Sequence, residues 1–211
     1  MSSVVSMMHR VIAAPRYAAL YSGGRFFPQA PAGMDPVSKI DLEQDIARGL
    51  GHTCRFNGQC AEFYSVAQHS ILVAELVEDE RLRLPALLHD AAEAYIGDIV
   101  TPIKMLLPFM FWLERRIQRQ LWRHFGLEVS AADWAAIKQA DLRALATEKR
   151  DLLPNESRYR WQSLVGVLPD GPRIVPMAPA EARMAFMAAF ERYSAHHRGI
   201  SCKGAQRRVA A

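Results

Sequence analysis

The chain has 211 residues, of which half are hydrophobic and 23% are charged, a composition typical of one globular domain. The net charge of +4 comes from the end of the sequence, where Arg198, Lys203, Arg207 and Arg208 lie, so we expect no nucleic-acid partner. No apolar run reaches about eighteen residues, which predicts no membrane span. Three cysteines without a CxxC pair predict no disulfide framework and favour a cytoplasmic location.

The first part of the chain is predicted to form an irregular arm followed by two helices. Residues 1–36 are rich in Pro, Gly and Ser and indicate the arm. Apolar residues at helical spacing predict a helix over 41–50, and a polar loop follows it. Ser65 then suits the N-cap of a helix that carries His69.

Helical periodicity continues through the rest of the chain. It predicts helices over 84–95, 109–125, 131–153 and 181–193, separated by loops that contain Pro or Gly. No alternating strand pattern of any length occurs. The predicted fold class is therefore all-α, a bundle of about six helices. The bundle is predicted over 37–195, with the arm before it and a basic flexible tail over 196–211.

One apolar stretch contains ionisable groups that need an explanation. Within residues 87–98, four apolar residues surround His89, Asp90 and Glu93. On a helix these side chains, spaced three and four residues apart, lean toward one region. Because a buried charge is costly unless it is paired or coordinates a metal, the stretch favours a metal site.

Further ligands are expected from neighbouring helices. His69 lies on the preceding predicted helix, and Asp141 interrupts an Ala-rich one. Two imidazoles and two carboxylates suit a divalent transition metal and form a site open to water and substrate. Each feature alone also fits a hydrogen-bonded core residue, so the metal site depends on their combination. Charged residues further along the same helix, with Glu148 among them, are interpreted as a solvated face.

Four motifs occur in a fixed order along the chain: Ser65-Val66-Ala67-Gln68-His69-Ser70, Leu87-Leu88-His89-Asp90-Ala91-Ala92-Glu93, Gly97-Asp98 with Thr101-Pro102-x-Lys104, and Lys138-Gln139-Ala140-Asp141. Together they resemble the H…HD…D signature of the HD-domain metal-dependent phosphohydrolases. Glu93 and Gly97-Asp98 resemble the bacterial 5′-deoxynucleotidase branch in particular. The resemblance covers about residues 40–150 and implies the HD helical bundle.

The resemblance implies a role for each matching residue. One divalent ion, which could be Co, Mn, Zn, Ni, Fe or Mg, would be held by four ligands, His69, His89, Asp90 and Asp141. Glu93 would activate the attacking water, and Asp98 would hold the sugar hydroxyl. Arg55 resembles a phosphate-binding arginine, and Phe56 stands where the deoxynucleotidases have a Trp. Lys104 offers a second positive charge for the phosphate.

These roles lead to one main functional hypothesis and several alternatives. The main hypothesis is hydrolysis of nucleoside 5′-monophosphates, deoxynucleotides above all, to nucleoside and phosphate. The alternatives are a deoxynucleoside triphosphate triphosphohydrolase and a non-catalytic HD regulatory module. A guanosine tetraphosphate hydrolase is disfavoured because Ala94 follows Glu93, where such enzymes have a Glu-Asp pair. A small-molecule nucleotide is the expected partner, and the resemblance implies a homodimer.

Overall fold

Helices make up nearly all the regular structure of the computed structural model, which describes the backbone of residues 16–156 and 158–209. Side chains are described over the same ranges except at residues 156 and 198–209. A two-stranded antiparallel sheet, β1 (Ala18–Ala19) and β2 (Arg25–Phe26), lies in the N-terminal arm. The all-α prediction is confirmed. The predicted arm lies outside the described residues as far as residue 15.

The helical segments follow one another in the described part of the chain. They are α1 (Leu42–Ala47, a π-helical turn), α2 (Arg48–His52), α3 (Val66–Leu76), α4 (Arg83–Leu87), α5 (Glu93–Ile96), α6 (Thr101–Lys104), α7 (Pro108–His124), α8 (Ala131–Leu152) and α9 (Pro179–Val209). Short 3₁₀ turns occur at Arg55–Gly58, Glu80–Leu82, Pro154–Glu156 and Gln162–Leu164. Helix α9 is longer than predicted and includes most of the segment predicted as a tail.

Helix caps fix where α3 and α8, which carry His69 and Asp141, begin. The Ser65 side chain accepts a hydrogen bond from the Gln68 amide at 3.2 Å, which confirms it as the N-cap of α3. Ser130 and Asp133 form a capping box at the start of α8. These local signals explain why α3 and α8 begin close to where the sequence predicts.

The predicted helix over 84–95 is wrong in its middle, because a turn separates α4 from α5. The amides of His89, Ala91 and Glu93 donate to carbonyls three residues earlier, a tighter pattern than an α-helix allows. The apolar residues around His89 are fully buried. Apolar periodicity therefore reported burial correctly, but it does not distinguish a buried helix from a buried turn.

Helix α3 lies at the centre of the bundle, where it packs against α4, α8 and α9. The core around it includes Val73, Leu87, Ile137 and Phe186. Apolar residues at helical spacing along α7 include Trp112, Leu113 and Ile117, but Trp112 is 45% exposed, whereas Leu113 and Ile117 are buried. None of the helices in the described residues is long and apolar enough to cross a membrane.

Close backbone approach holds α5 in place. A Cβ atom added at Gly49 in α2 would lie 3.0 Å from the carbonyl oxygen of Ala94 in α5. That distance is too short for ordinary packing, so glycine lets the two segments touch. The first residue of α5 is Glu93, and the contact therefore helps to position this carboxylate.

Candidate metal centre and cavity

Three segments of the fold bring imidazole and carboxylate groups together. His69 lies in α3, His89 and Asp90 in the turn before α5, and Asp141 in α8. His89 Nε2 lies 3.1 Å from Asp90 Oδ2, and His69 Nε2 lies 3.5 Å from the same oxygen. Asp141 Oδ1 lies 3.3 Å from His69 Nε2 and 3.9 Å from His89 Nε2. The predicted ligands therefore converge, although a turn carries two of them.

The other nitrogen of each ring fixes its orientation. His89 Nδ1 lies 2.8 Å from the carbonyl oxygen of Ala86, and His69 Nδ1 lies 2.6 Å from Glu148 Oε1. Since these oxygens accept hydrogen bonds, each Nδ1 is assigned the donor role. Both Nε2 atoms are then directed toward the carboxylates of the cluster, as in histidines that bind metals.

The chemistry of this donor set fits a divalent metal ion. Both Nε2 atoms are buried and have no hydrogen-bond partner, a state that is costly for a polar atom. The ligand atoms of His69, His89 and Asp90 all lie within 4.8 Å of one another. Imidazole nitrogens together with carboxylate oxygens suit first-row transition metals. These three residues could therefore hold such an ion.

The two carboxylates of the cluster are held in their charged form. Burial disfavours ionisation of Asp90, but attraction by His89 and contact with His69 hold its pKa well below the ordinary value. Burial likewise opposes ionisation of Asp141. Contact with His69 and the Lys138 ammonium group, 2.9 Å away, nevertheless lower the pKa of Asp141. Both carboxylates can therefore act as anionic ligands at neutral pH.

A cavity of about 870 Å³ opens onto this cluster. It is lined by seven of the nine residues predicted for the site, which are Arg55, Phe56, Asp90, Glu93, Asp98, Lys104 and Asp141. The remaining two, His69 and His89, are buried. The cavity is large enough for a nucleotide-sized ligand, since ligand pockets commonly enclose about 300–1,000 Å³.

The environment of Glu93 differs from that of the candidate metal ligands. Its side chain is buried, its Oε2 atom has no hydrogen-bond partner, and it lines the cavity. Burial, together with the negative charges of Asp90 and Asp98, raises the pKa of Glu93 well above its ordinary value. A carboxylate with a raised pKa that lines a cavity suits proton transfer.

Comparison with known proteins places the chain in a family. It is 38% identical over 172 residues to the uncharacterized protein YfdR of Escherichia coli strain K12, covering 81% of this chain and 91% of that protein. The chain belongs to the YfdR family. The uncharacterized protein RCAP_rcc00048 of Rhodobacter capsulatus is 37% identical over 171 residues, covering 74% of this chain and 86% of that protein. No family model matches the chain.

The two cations predicted to bind phosphate already have acidic partners in this YfdR-family protein. Arg55 Nη2 lies 2.9 Å from Glu148 Oε2, and Lys104 forms an ion pair with Glu114. A guanidinium has five donor hydrogens and an ammonium has three, so these partners leave donors for a ligand. Arg55 and Lys104 therefore contribute positive charge to the cavity from fixed positions.

Phe56 lies in a strained stretch of backbone beside Arg55. Phe56 and Asn57 have φ angles of 55° and 52°, in the left-handed region that non-glycine residues seldom adopt. The Phe56 ring lies 6.5 Å from the ring of Trp161, which also lines the cavity. The sequence pattern gives no sign of Trp161 as a cavity residue, because it lies in the long Pro-rich loop before α9.

Glu148 corrects the sequence interpretation of α8 in this member of the YfdR family. It was interpreted as part of a solvated face, but it is fully buried and contacts both His69 and Arg55. Burial opposes ionisation of Glu148, yet attraction by Arg55 and His69 lowers its pKa. Glu148 follows Asp141 by seven residues, a spacing that places both residues on the same face of the helix. This spacing could have indicated that Glu148 faces the site.

Proposed function

We propose that this protein is an HD-type metal-dependent phosphohydrolase that converts nucleoside 5′-monophosphates, deoxynucleotides in particular, to nucleoside and phosphate. The observation that carries the proposal is the pair of buried, unpartnered Nε2 atoms of His69 and His89 next to two ionised carboxylates. The Glu93 carboxyl group lies at the same cavity, which supports hydrolysis rather than metal storage.

A divalent ion held by His69, His89, Asp90 and Asp141 would polarise the phosphoryl group and acidify the attacking water. Glu93 takes the proton from that water through its free Oε2 atom. Its raised pKa makes it a stronger base than an ordinary glutamate and therefore better matched to neutral pH.

The remaining polar residues of the cavity bind and orient the substrate. Arg55 and Lys104 offset the negative charge of the phosphate, and Arg55 is held in position by its ion pair with Glu148. Asp98 accepts a hydrogen bond from a sugar hydroxyl. The aromatic rings of Phe56 and Trp161 offer apolar surface to the nucleoside.

The small number of cations at the cavity favours a monophosphate over a triphosphate substrate. A triphosphate tail would need several more cations, and the sequence offers them in the Arg-rich stretch of that helix. Among the described residues that line the cavity, the cations are Arg55, Lys104 and Lys138. Arg116 instead donates to backbone carbonyls of the N-terminal arm, and Arg123 binds Asp35.

A product-release assay on metal-stripped protein tests the proposal. Deoxy- and ribonucleotides with one to three phosphates are supplied separately with Co, Mn, Mg, Ni, Zn or Fe. We expect inorganic phosphate from deoxynucleoside monophosphates, with Asp90→Asn inactive and the exposed control Asp35→Asn as active as wild type. Release of triphosphate from a dNTP would support the triphosphohydrolase instead. No product from any substrate, with metal bound, would support a non-catalytic module.

A further inference from the structure

Glu148 lies where two buried hydrogen-bond donors meet. Its side chain has no exposed surface, and each of its oxygens contacts a different donor. Oε1 lies 2.6 Å from His69 Nδ1, and Oε2 lies 2.9 Å from Arg55 Nη2. A chain of contacts therefore runs from Arg55 at the cavity through Glu148 to His69.

The first contact decides which nitrogen of His69 faces the cluster. An ionised carboxylate has only acceptor sites, so the nitrogen opposite it must carry a hydrogen. That nitrogen is Nδ1, and the lone pair on Nε2 is then available on the side of Asp90 and Asp141. His89 receives the same orientation from a backbone carbonyl instead of a side chain.

The contact with Arg55 keeps Glu148 ionised and in position to accept a hydrogen bond from His69. A carboxylate with no exposure to water would be costly if His69 were its sole partner. The Arg55 guanidinium supplies a charge-assisted hydrogen bond and a compensating charge. Arg55 comes from the strained turn Arg55–Gly58, and its position therefore depends on that turn.

We propose that Glu148 is a positioning residue that sets the His69 ring as a metal ligand, and that Arg55 holds Glu148 in place for this task. The inference rests on the proposed function for the metal ion that His69 would bind. It gives Arg55 a role inside the protein in addition to the phosphate contact that the family resemblance implies.

Glu148→Gln tests the proposal because the side-chain amide has a single acceptor oxygen. The charged Arg55 guanidinium takes that oxygen, and the amide NH₂ then faces His69 Nδ1. The ring hydrogen must move to Nε2, which removes the metal-binding lone pair. We expect the affinity for Co²⁺ or Zn²⁺, measured by competition with a chelator, to fall about 10- to 100-fold. Glu191→Gln, the same exchange at an exposed position, should keep the wild-type affinity.

The double variant Arg55→Met with Glu148→Gln separates positioning from a general structural role. Without the guanidinium, the amide oxygen is free to accept from His69 Nδ1, and we expect most of the metal affinity to return. If Glu148 only supported the fold, the double variant would bind metal no better than Glu148→Gln alone. That result would overturn the proposal.

Nitrogen NMR of the imidazole rings provides a readout that needs neither metal nor substrate. Wild-type protein should show a hydrogen-bonded Nδ1–H signal from His69, and Glu148→Gln should lose it. Retention of that signal together with wild-type metal affinity would exclude the positioning role. The outcomes are independent of the proposed function, because a protein that hydrolyses no nucleotide still reports the state of the His69 ring.

Discussion

Glu93 is buried and Asp90 is half-buried at one cavity, and their surroundings shift their pKa values in opposite directions. Imidazole groups next to Asp90 favour its charged form, whereas Glu93 faces the negative charges of Asp90 and Asp98. Two carboxylates with separated pKa values can divide the work of metal binding and proton transfer. The division is a property of individual side-chain environments rather than of residue type.

Glu93→Gln should separate catalysis from metal binding. The amide keeps the shape of the side chain but cannot accept the proton, so turnover should fall by about two to four orders of magnitude. Metal affinity should stay close to that of wild type, because the ligands are untouched. Steady-state kinetics and a metal titration check this, with the exposed Glu128→Gln as the control. A change confined to KM would contradict the general-base role.

The acidic limb of the pH–rate profile should shift when Asp98 is replaced by Asn. Glu93 must lose its proton to act as a base, so activity should rise as pH increases through its raised pKa. Asp98→Asn removes one of the negative charges that raise this pKa, and the limb should move to lower pH. Profiles of kcat/KM for wild type and Asp98→Asn provide the measurement. An unmoved limb would mean that another group controls the profile.

At the scale of helices and turns, the sequence predicts long elements well and short ones poorly. Helices α3 and α8 have N-cap serines and long apolar patterns, so their starts and their site residues were predictable. No comparable sequence signal marks the break between α4 and α5, because buried turns and buried helices contain the same apolar residues. Glu148 was misjudged because charged neighbours in sequence obscured its position on the inner face of α8.

Gly97 ends α5 immediately before Asp98, so its backbone conformation helps to position this cavity residue. Its φ of 78° and ψ of 164° lie in a region that is essentially restricted to glycine. Gly97→Ala should therefore destabilise the protein by about 1–3 kcal/mol. Displacement of Asp98 should also raise KM for nucleotides.

Gly171→Ala offers the matched control for this exchange. Gly171 has the same φ of 78°, and a Cβ added at either glycine would meet no atom within 4 Å. Urea unfolding should show a loss of stability for both variants, whereas KM should rise only for Gly97→Ala. An equal rise in KM for both would mean that Asp98 is not specifically positioned by this turn.

On the scale of the whole molecule, the candidate metal site brings together parts of the chain that are distant in sequence. His69 is in the central helix α3, Asp141 is in α8, and the turn before α5 carries His89 and Asp90. An ion that binds these groups only when they are assembled stabilises the folded state. At a free metal concentration one hundred times Kd, the stabilisation would be about 2.7 kcal/mol.

The stabilisation by metal should grow with pH. Burial and Arg55 oppose protonation of His69, but Glu148 and contacts with Asp141 and Asp90 raise its pKa well above the ordinary value of about 6.5. A raised pKa means that protonation of His69 stabilises the metal-free protein below pH 6.5 and that this contribution is lost as pH rises through the folded-state pKa.

The metal replaces that proton, so the metal-free and loaded proteins should diverge toward alkaline pH. Thermal unfolding of both forms across neutral to alkaline pH measures the difference, and calorimetry in two buffers counts the protons released on binding. Asp141→Asn should lose the metal-dependent increase in Tm, whereas Asp35→Asn should retain it. Equal pH dependence with and without metal would contradict replacement of the His69 proton by the ion.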